Sequence, residues 1–303
     1  MINQTYKKYQ KTFFILLIIL LSYLAGQIIN AVLMQSLSPE LSAKIMSLSE
    51  NDVNEMSLLK ILQFISAVFS FLIPALIISK LFTQDAKPYI SYRQSPGIWY
   101  YLLIPVLLFS VMPLMNIIIQ WNESIVLPDS LSNIEIKMKE METSSQRMIE
   151  LMLSGNSFLT IILNFVLIAL LPALGEEFLF RGVIQKHCKE LLKNSHIAIF
   201  VAAFLFSAIH FQFYGFIPRL LLGMVFGYLV YFSGSIWPAV FAHFINNSMA
   251  IAVSYLSKTS EVAAETDTFG TNASDIYFVI TGIMLAGFVA WIMIKRYKVK
   301  VEK

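Results

Sequence analysis

Residues 171–182 read LPALGEEFLFRG. Two adjacent glutamates, Glu176 and Glu177, stand in an otherwise apolar run, and Arg181 follows four residues after Glu177. An ionisable group inside a membrane costs about 3 kcal/mol or more unless it is paired or faces water, so it marks function by default. Apolar residues on both sides favour a spanning segment over a loop at a helix end.

The rest of the chain supports a membrane setting. Of 303 residues, 57% are hydrophobic and 14% charged, too apolar a balance for a soluble domain. Strand-like alternation is weak and the apolar runs are long, which points to helices rather than a barrel. A span needs about 20 apolar residues. Eight segments qualify, at roughly 13–33, 58–82, 98–119, 160–186, 197–213, 216–232, 235–256 and 275–294. The fold class is therefore all-α, a polytopic membrane bundle of about eight transmembrane helices in one integral membrane domain. Residues 1–154 hold N-terminal helices and an outer amphipathic segment without a recognised motif. Residues 155–255 form the core that carries the polar groups. Residues 256–303 are an outer loop, a last span and a basic tail.

Charge sets orientation. With the N-terminus in the cytoplasm, the inner segments hold Lys7, Lys8, Lys11, Lys80, Lys87, Arg93, Arg181, Lys186, Lys189, Lys193 and the five basic residues from Lys295 to Lys303. The outer segments hold only Lys44, Lys137, Lys139, Arg147 and Lys258. That bias puts both termini inside. The first apolar run follows lysines as a signal peptide would, but it is long and no A-x-A site follows, so an uncleaved anchor is favoured. The net charge of +3 is small and its bearers sit mostly in loops, so no nucleic-acid partner is implied. The single cysteine, Cys188, excludes an intrachain disulfide and lacks an elbow motif, so it reads as structural.

Within the long outer loop Gln120–Asn156, Leu131, Ile134, Met138, Met141, Met148 and Met152 recur at helical spacing between charges. This is an amphipathic helix lying on the membrane or covering a cavity. The plainer reading is a surface helix with no catalytic part. The polar loop 257–273 reads as flexible. Gly223 and Gly227 form a G-x-x-x-G, a close-packing device.

The buried polar groups carry the chemistry. Adjacent helical residues point about 100° apart, so Glu176 and Glu177 face different ways. Glu177 and Arg181 are i and i+4, the spacing of an ion pair. That assigns Arg181 to Glu177 and leaves Glu176 as the acid for chemistry, its pKa raised by desolvation into the range of a general base. His210 closes an almost wholly apolar run and by itself fits a hydrogen-bonded core histidine equally well. His243 and Asn247 are i and i+4 on one helix face, which serves either a cavity or a neighbouring helix. Asn246 points elsewhere. Counting 1.5 Å per residue lets Glu176, His210 and His243 share one layer of the bilayer. His187 and His196 read as interfacial structural histidines, and Arg219 as snorkelling to the outer interface.

Glu176-Glu177-x-x-x-Arg181, Phe206-x-x-x-His210 and His243-x-x-x-Asn247 together resemble the three motifs of the CPBP family over about residues 155–255. These are the CAAX-type, Abi-related intramembrane proteases, which include type II CAAX prenyl endopeptidases and bacteriocin self-protection proteins. The resemblance implies an eight-helix membrane fold and peptide-bond hydrolysis in a cavity open to the cytosol. By position it assigns Glu176 and His210 to activating water, His243 and Asn247 to the oxyanion, and Glu177, Arg181 and Phe206 to support. Its partners would be the lipid bilayer and a membrane-associated protein or peptide substrate. A bacterial plasma membrane fits it best.

Glu176, His210 and His243 are also a conceivable zinc set. The absence of H-E-x-x-H and the poor ligand quality of Asn247 favour a metal-free glutamate mechanism. Two other function classes remain in view. One is a membrane immunity or scaffold protein that keeps the fold and works by binding. The other is a proton-coupled carrier, disfavoured because no inverted repeat is visible.

Overall fold

The computed structural model describes residues 2–41, 47–48, 52–83, 89–90, 96–257 and 268–301. Among them every regular element is helical. The helices are α1 (Ile2–Leu37), α2 (53–81), α3 (Ile98–Glu123), α4 (Ser132–Met152), α5 (Phe158–Leu192), α6 (Ser195–Ala208), α7 (Phe216–Ser233), α8 (Trp237–Ser257) and α9 (Ile276–Val301). Seven of them, α1, α2, α3, α5, α7, α8 and α9, are long and apolar enough to cross a membrane. The loop proposed as flexible at 257–273 lies largely outside the described residues, as do Lys44, Lys87, Arg93 and Lys258.

The eighth candidate span, 197–213, needs correction. Its helix α6 has 14 residues and stops at Ala208. At 1.5 Å per residue it is roughly 21 Å long, short of a bilayer core of about 30 Å. The chain then turns: Phe211 takes φ 53° and the Ser207 hydroxyl donates to the Phe216 carbonyl at 2.7 Å. His210 therefore sits in a turn at the end of a short helix.

Prolines shape two of the long helices. Pro74 in α2 and Pro172 in α5 each follow a π-helical segment, Val68–Leu72 and Phe165–Leu170. A helical proline lacks an amide and crowds the carbonyl four residues back. Widening the preceding turn to the π form accommodates both defects.

The chain folds as two compact units, Met1–Ser91 with Gln146–Ala198, and Tyr92–Ser145 with Ile199–Lys303. In the first, Ser22, Gly26 and Asn30 are spaced by four and so share one face of α1. Ser22 donates to the Phe69 carbonyl at 2.6 Å, and Asn30 donates to the Ser66 hydroxyl at 2.7 Å. A Cβ at Gly26 would lie 2.6 Å from the Phe69 Cβ, so only glycine permits this approach. Helix α1 is thus closed onto α2 by small and polar residues, the usual means where lipid removes the hydrophobic drive between helices. At the charged end, Lys11 pairs with Glu190 at 2.5 Å and the Tyr89 ring lies under both Lys11 and Lys186.

In the second unit, Tyr100, Ile104 and Leu108 of α3 pack with Phe226 and Leu229 of α7, Ala239 and Ala242 of α8, and Val289 and Met293 of α9. The α3–α9 contact depends on Gly282, where a Cβ would overlap the Ser110 carbonyl oxygen. Gly287, one and a half turns further along α9, has open space at that position. Gly282→Ala is therefore predicted to destabilise the purified protein by about 1–3 kcal/mol through overpacking. Gly287→Ala should leave the thermal midpoint in detergent unchanged or slightly raised. Equal midpoints for the two variants would show that α3 and α9 do not pack through Gly282.

Candidate active site

The acidic motif belongs to the first unit. After the π segment, α5 resumes as α-helix over Leu171–Glu177 and widens again to a π form over Phe178–Gln185. Gly175 lies against the π segment of α2, where a Cβ would be 3.0 Å from the Phe71 Cβ and 3.5 Å from the Leu72 amide nitrogen. The missing side chain lets α5 press onto α2 and sinks the next two residues. Glu176 is 8% exposed and Glu177 fully buried.

Arg181 Nη1 donates to Glu177 Oε1 at 2.9 Å, and both side chains are completely enclosed. Two opposite charges at that spacing offset part of the cost of burying each other. The guanidinium also acts electrostatically on Glu176, though less strongly than on Glu177. Downstream, His187 is buried and its Nε2 lies 2.8 Å from the Thr12 hydroxyl. His196 is exposed in the first turn of α6, whose amides are capped by Asn194.

The histidines and the amide belong to the second unit. His210 Nδ1 lies 2.8 Å from the Phe206 carbonyl, four residues back. A carbonyl can only accept, so this contact puts the proton on Nδ1. In the neutral ring, Nε2 is then the lone-pair nitrogen. The Phe206 ring meets His210 edge-on at 5.2 Å and His243 edge-on at 5.8 Å. Phe206 therefore does two things, fixing one imidazole through its carbonyl and standing between the two rings. His243, 4% exposed, also stacks on Phe226 at 5.2 Å and 19°. Asn247 follows one turn later on α8, and Asn246 Nδ2 donates to its Oδ1 at 3.3 Å. That contact directs the Asn247 amide, a task for Asn246 that helix spacing gave no hint of. The second unit so gathers Phe206, His210 and His243, with Asn247 on the same helix as His243.

Two further polar groups, Gln212 and Glu142, escaped sequence reasoning. Arg219 Nη2 donates to Gln212 Oε1 at 2.8 Å, and Gln212 Nε2 donates to Glu142 Oε1 at 3.2 Å. Burial pushes the Glu142 carboxyl up, while Arg219 pulls it down. Glu142 lies 70 residues before Gln212 in sequence, and only Gln212, two residues after His210, offered a signal. Among the described residues, no three His, Cys, Asp or Glu side chains form a metal-ligand group.

The enclosed ion pair generates a stability prediction. Arg181→Leu should leave Glu177 charged and buried, at a cost of about 3–5 kcal/mol, and lower the thermal midpoint or abolish insertion. The paired change Glu177→Gln with Arg181→Met should recover most of that loss. A double variant no better than Arg181→Leu alone would mean the two side chains do not stabilise each other.

No curated protein and no solved structure matches the chain. Residues 158–249 match the family model described as Type II CAAX prenyl endopeptidase Rce1-like. The match runs from the start of α5 to two residues beyond Asn247, and so contains both glutamates, Arg181, both histidines and the carboxamide. Over residues 158–249, just under a third of its length, this helical protein, with seven candidate spans among the described residues, is similar to the type II CAAX prenyl endopeptidase Rce1-like family.

Proposed function

We propose that the protein is an intramembrane endopeptidase that hydrolyses peptide bonds of membrane-associated protein or peptide substrates without a metal. The observation that carries this reading is the state of His210. Its Nδ1 is tied to the Phe206 carbonyl, so a neutral ring offers Nε2 as a proton acceptor beside the buried His243. The Rce1-like match and the order of the three motifs support adding Glu176 to the same reaction.

In this mechanism Glu176 takes one proton from a water molecule whose other hydrogen is bonded to His210 Nε2. The water oxygen attacks the scissile carbonyl carbon. Donors from His243 and Asn247 stabilise the oxyanion that forms, each worth about 3–4 kcal/mol in the transition state. The C–N bond then breaks as Glu176 returns its proton to the leaving nitrogen, giving an amine and a carboxylic acid whose remaining proton passes to His210 Nε2. Glu177 and Arg181 hold the Glu176 turn in place, and Phe206 orients His210. No step is routed through zinc: Asn247 is a poor ligand and the chain has no H-E-x-x-H motif. The loop-charge bias supports cytosolic termini, and the family resemblance supports a bacterial plasma membrane.

Glu176→Ala, His210→Ala and His243→Ala should each abolish cleavage by the protein reconstituted in liposomes, with insertion intact. Asn247→Ala should lower kcat by about 10²–10³ with little change in KM. Substrates can be found as membrane peptides that accumulate in a Glu176→Ala strain. Full activity of Glu176→Ala removes the reading, and full complementation by all three alanine variants would favour a binding or immunity role on the same fold. Activity should also survive prolonged chelation; loss on chelation with recovery on zinc would replace the glutamate mechanism by a metal one.

A further inference from the structure

His210 is followed by a backbone that residues with a Cβ avoid. Phe211 holds φ 53°, and its side chain is 70% exposed, so its own burial does not keep it there. Such a conformation persists only where the surroundings over-determine it. The contacts that do so come from other elements. Asn122, near the end of α3 and 1% exposed, donates to the Phe213 carbonyl at 2.9 Å and accepts from the Ile217 amide at 3.0 Å. Gln212 is held from both ends, its carbonyl by Arg219 and its amide by Glu142. Arg219 in turn lies on Gly215, where a Cβ would be 3.0 Å from Nη2.

Helix α4 supplies a second point of attachment. Glu135, seven residues before Glu142, accepts from the Leu127 amide at 3.1 Å and pairs with Lys139 at 2.7 Å. The buried Tyr214 stands beside that pair. Seven residues are about two helical turns, so Glu135 and Glu142 lie on the same face of α4. One face of an otherwise solvated, charged helix is thus set against residues 212 and 214 of the turn that carries His210.

We propose that Glu142, acting through Gln212 and Arg219, is a positioning residue for His210. The inference rests on the peptidase reading for its effect on rate, but not for its effect on the ring. Gln212 satisfies an acid and a guanidinium together in only one amide orientation, which fixes the side chain two residues after His210. Arg219 is also a charged group whose field reaches His210. Without Glu142, Gln212 loses its second anchor, Arg219 loses a counter-charge, and the turn relaxes away from φ 53°. The Nδ1–Phe206 contact loosens with it, and the imidazole no longer keeps one tautomer.

The chain has four histidines, so a full-length protein labelled with ¹⁵N-histidine in nanodiscs gives a readable spectrum. The His210 signals are identified by their loss in His210→Gln. Wild type should show Nδ1 protonated and Nε2 bare. Glu142→Ala should move His210 to averaged tautomer shifts, and Glu142→Gln, whose amide oxygen still accepts from Gln212, should restore the wild-type pattern. In the cleavage assay, Glu142→Ala should lower kcat roughly 10- to 100-fold with KM nearly constant, and Glu142→Gln should recover most of it. Gln212→Leu, read in the same two ways, replaces Glu142→Ala if that variant does not fold. An unchanged His210 spectrum, or a changed one with undiminished kcat, overturns the proposal. If wild type cleaves nothing, the peptidase reading fails by itself, and the spectrum alone decides: averaged shifts uphold the coupling, unchanged shifts end it.

Discussion

Everything in the first unit is arranged around a pair of charges that cannot reach water. Glu177 and Arg181 are wholly enclosed, and neither is tolerable there without the other. Their bond fixes one turn of α5. Gly175, pressed on the π segment of α2, fixes the depth of that turn. Glu176, between these two constraints, has little freedom left.

The second unit solves a different problem. Imidazoles are useful only in a defined tautomer and direction, and the protein sets both with backbone rather than with further acids. The Phe206 carbonyl fixes His210, and the Phe206 and Phe226 rings confine His243. Apolar walls of this kind exclude water from the ring faces while leaving the ring nitrogens as the reactive edges. The turn that holds His210 is strained, and strain of this sort is kept by polar contacts from α3, α4 and α7.

Much of this was legible beforehand. Long apolar runs announce spanning helices because a backbone in lipid must satisfy its own hydrogen bonds. An i, i+4 acid and arginine announce their ion pair because helix geometry is local. The span drawn through His210 was wrong for a reason hydropathy does not see. Apolar residues continue past Ala208, but the backbone reverses at Phe211. The partners of Arg219 were not legible for a related reason: a lone arginine at a helix start reads as interfacial, and Gln212 and Glu142 come from a turn and a distant helix.

The sequence by itself determined the helical membrane class and the Glu177–Arg181 pair, since each follows from composition or from spacing within one helix. Tertiary structure alone decided the glycine contacts that close α1 on α2 and α9 on α3 and the attachment of α4 to the His210 turn. These depend on which carbonyl, ring or amide arrives from elsewhere in the chain. Hydropathy and helical spacing, which describe one segment at a time, do not encode those meetings.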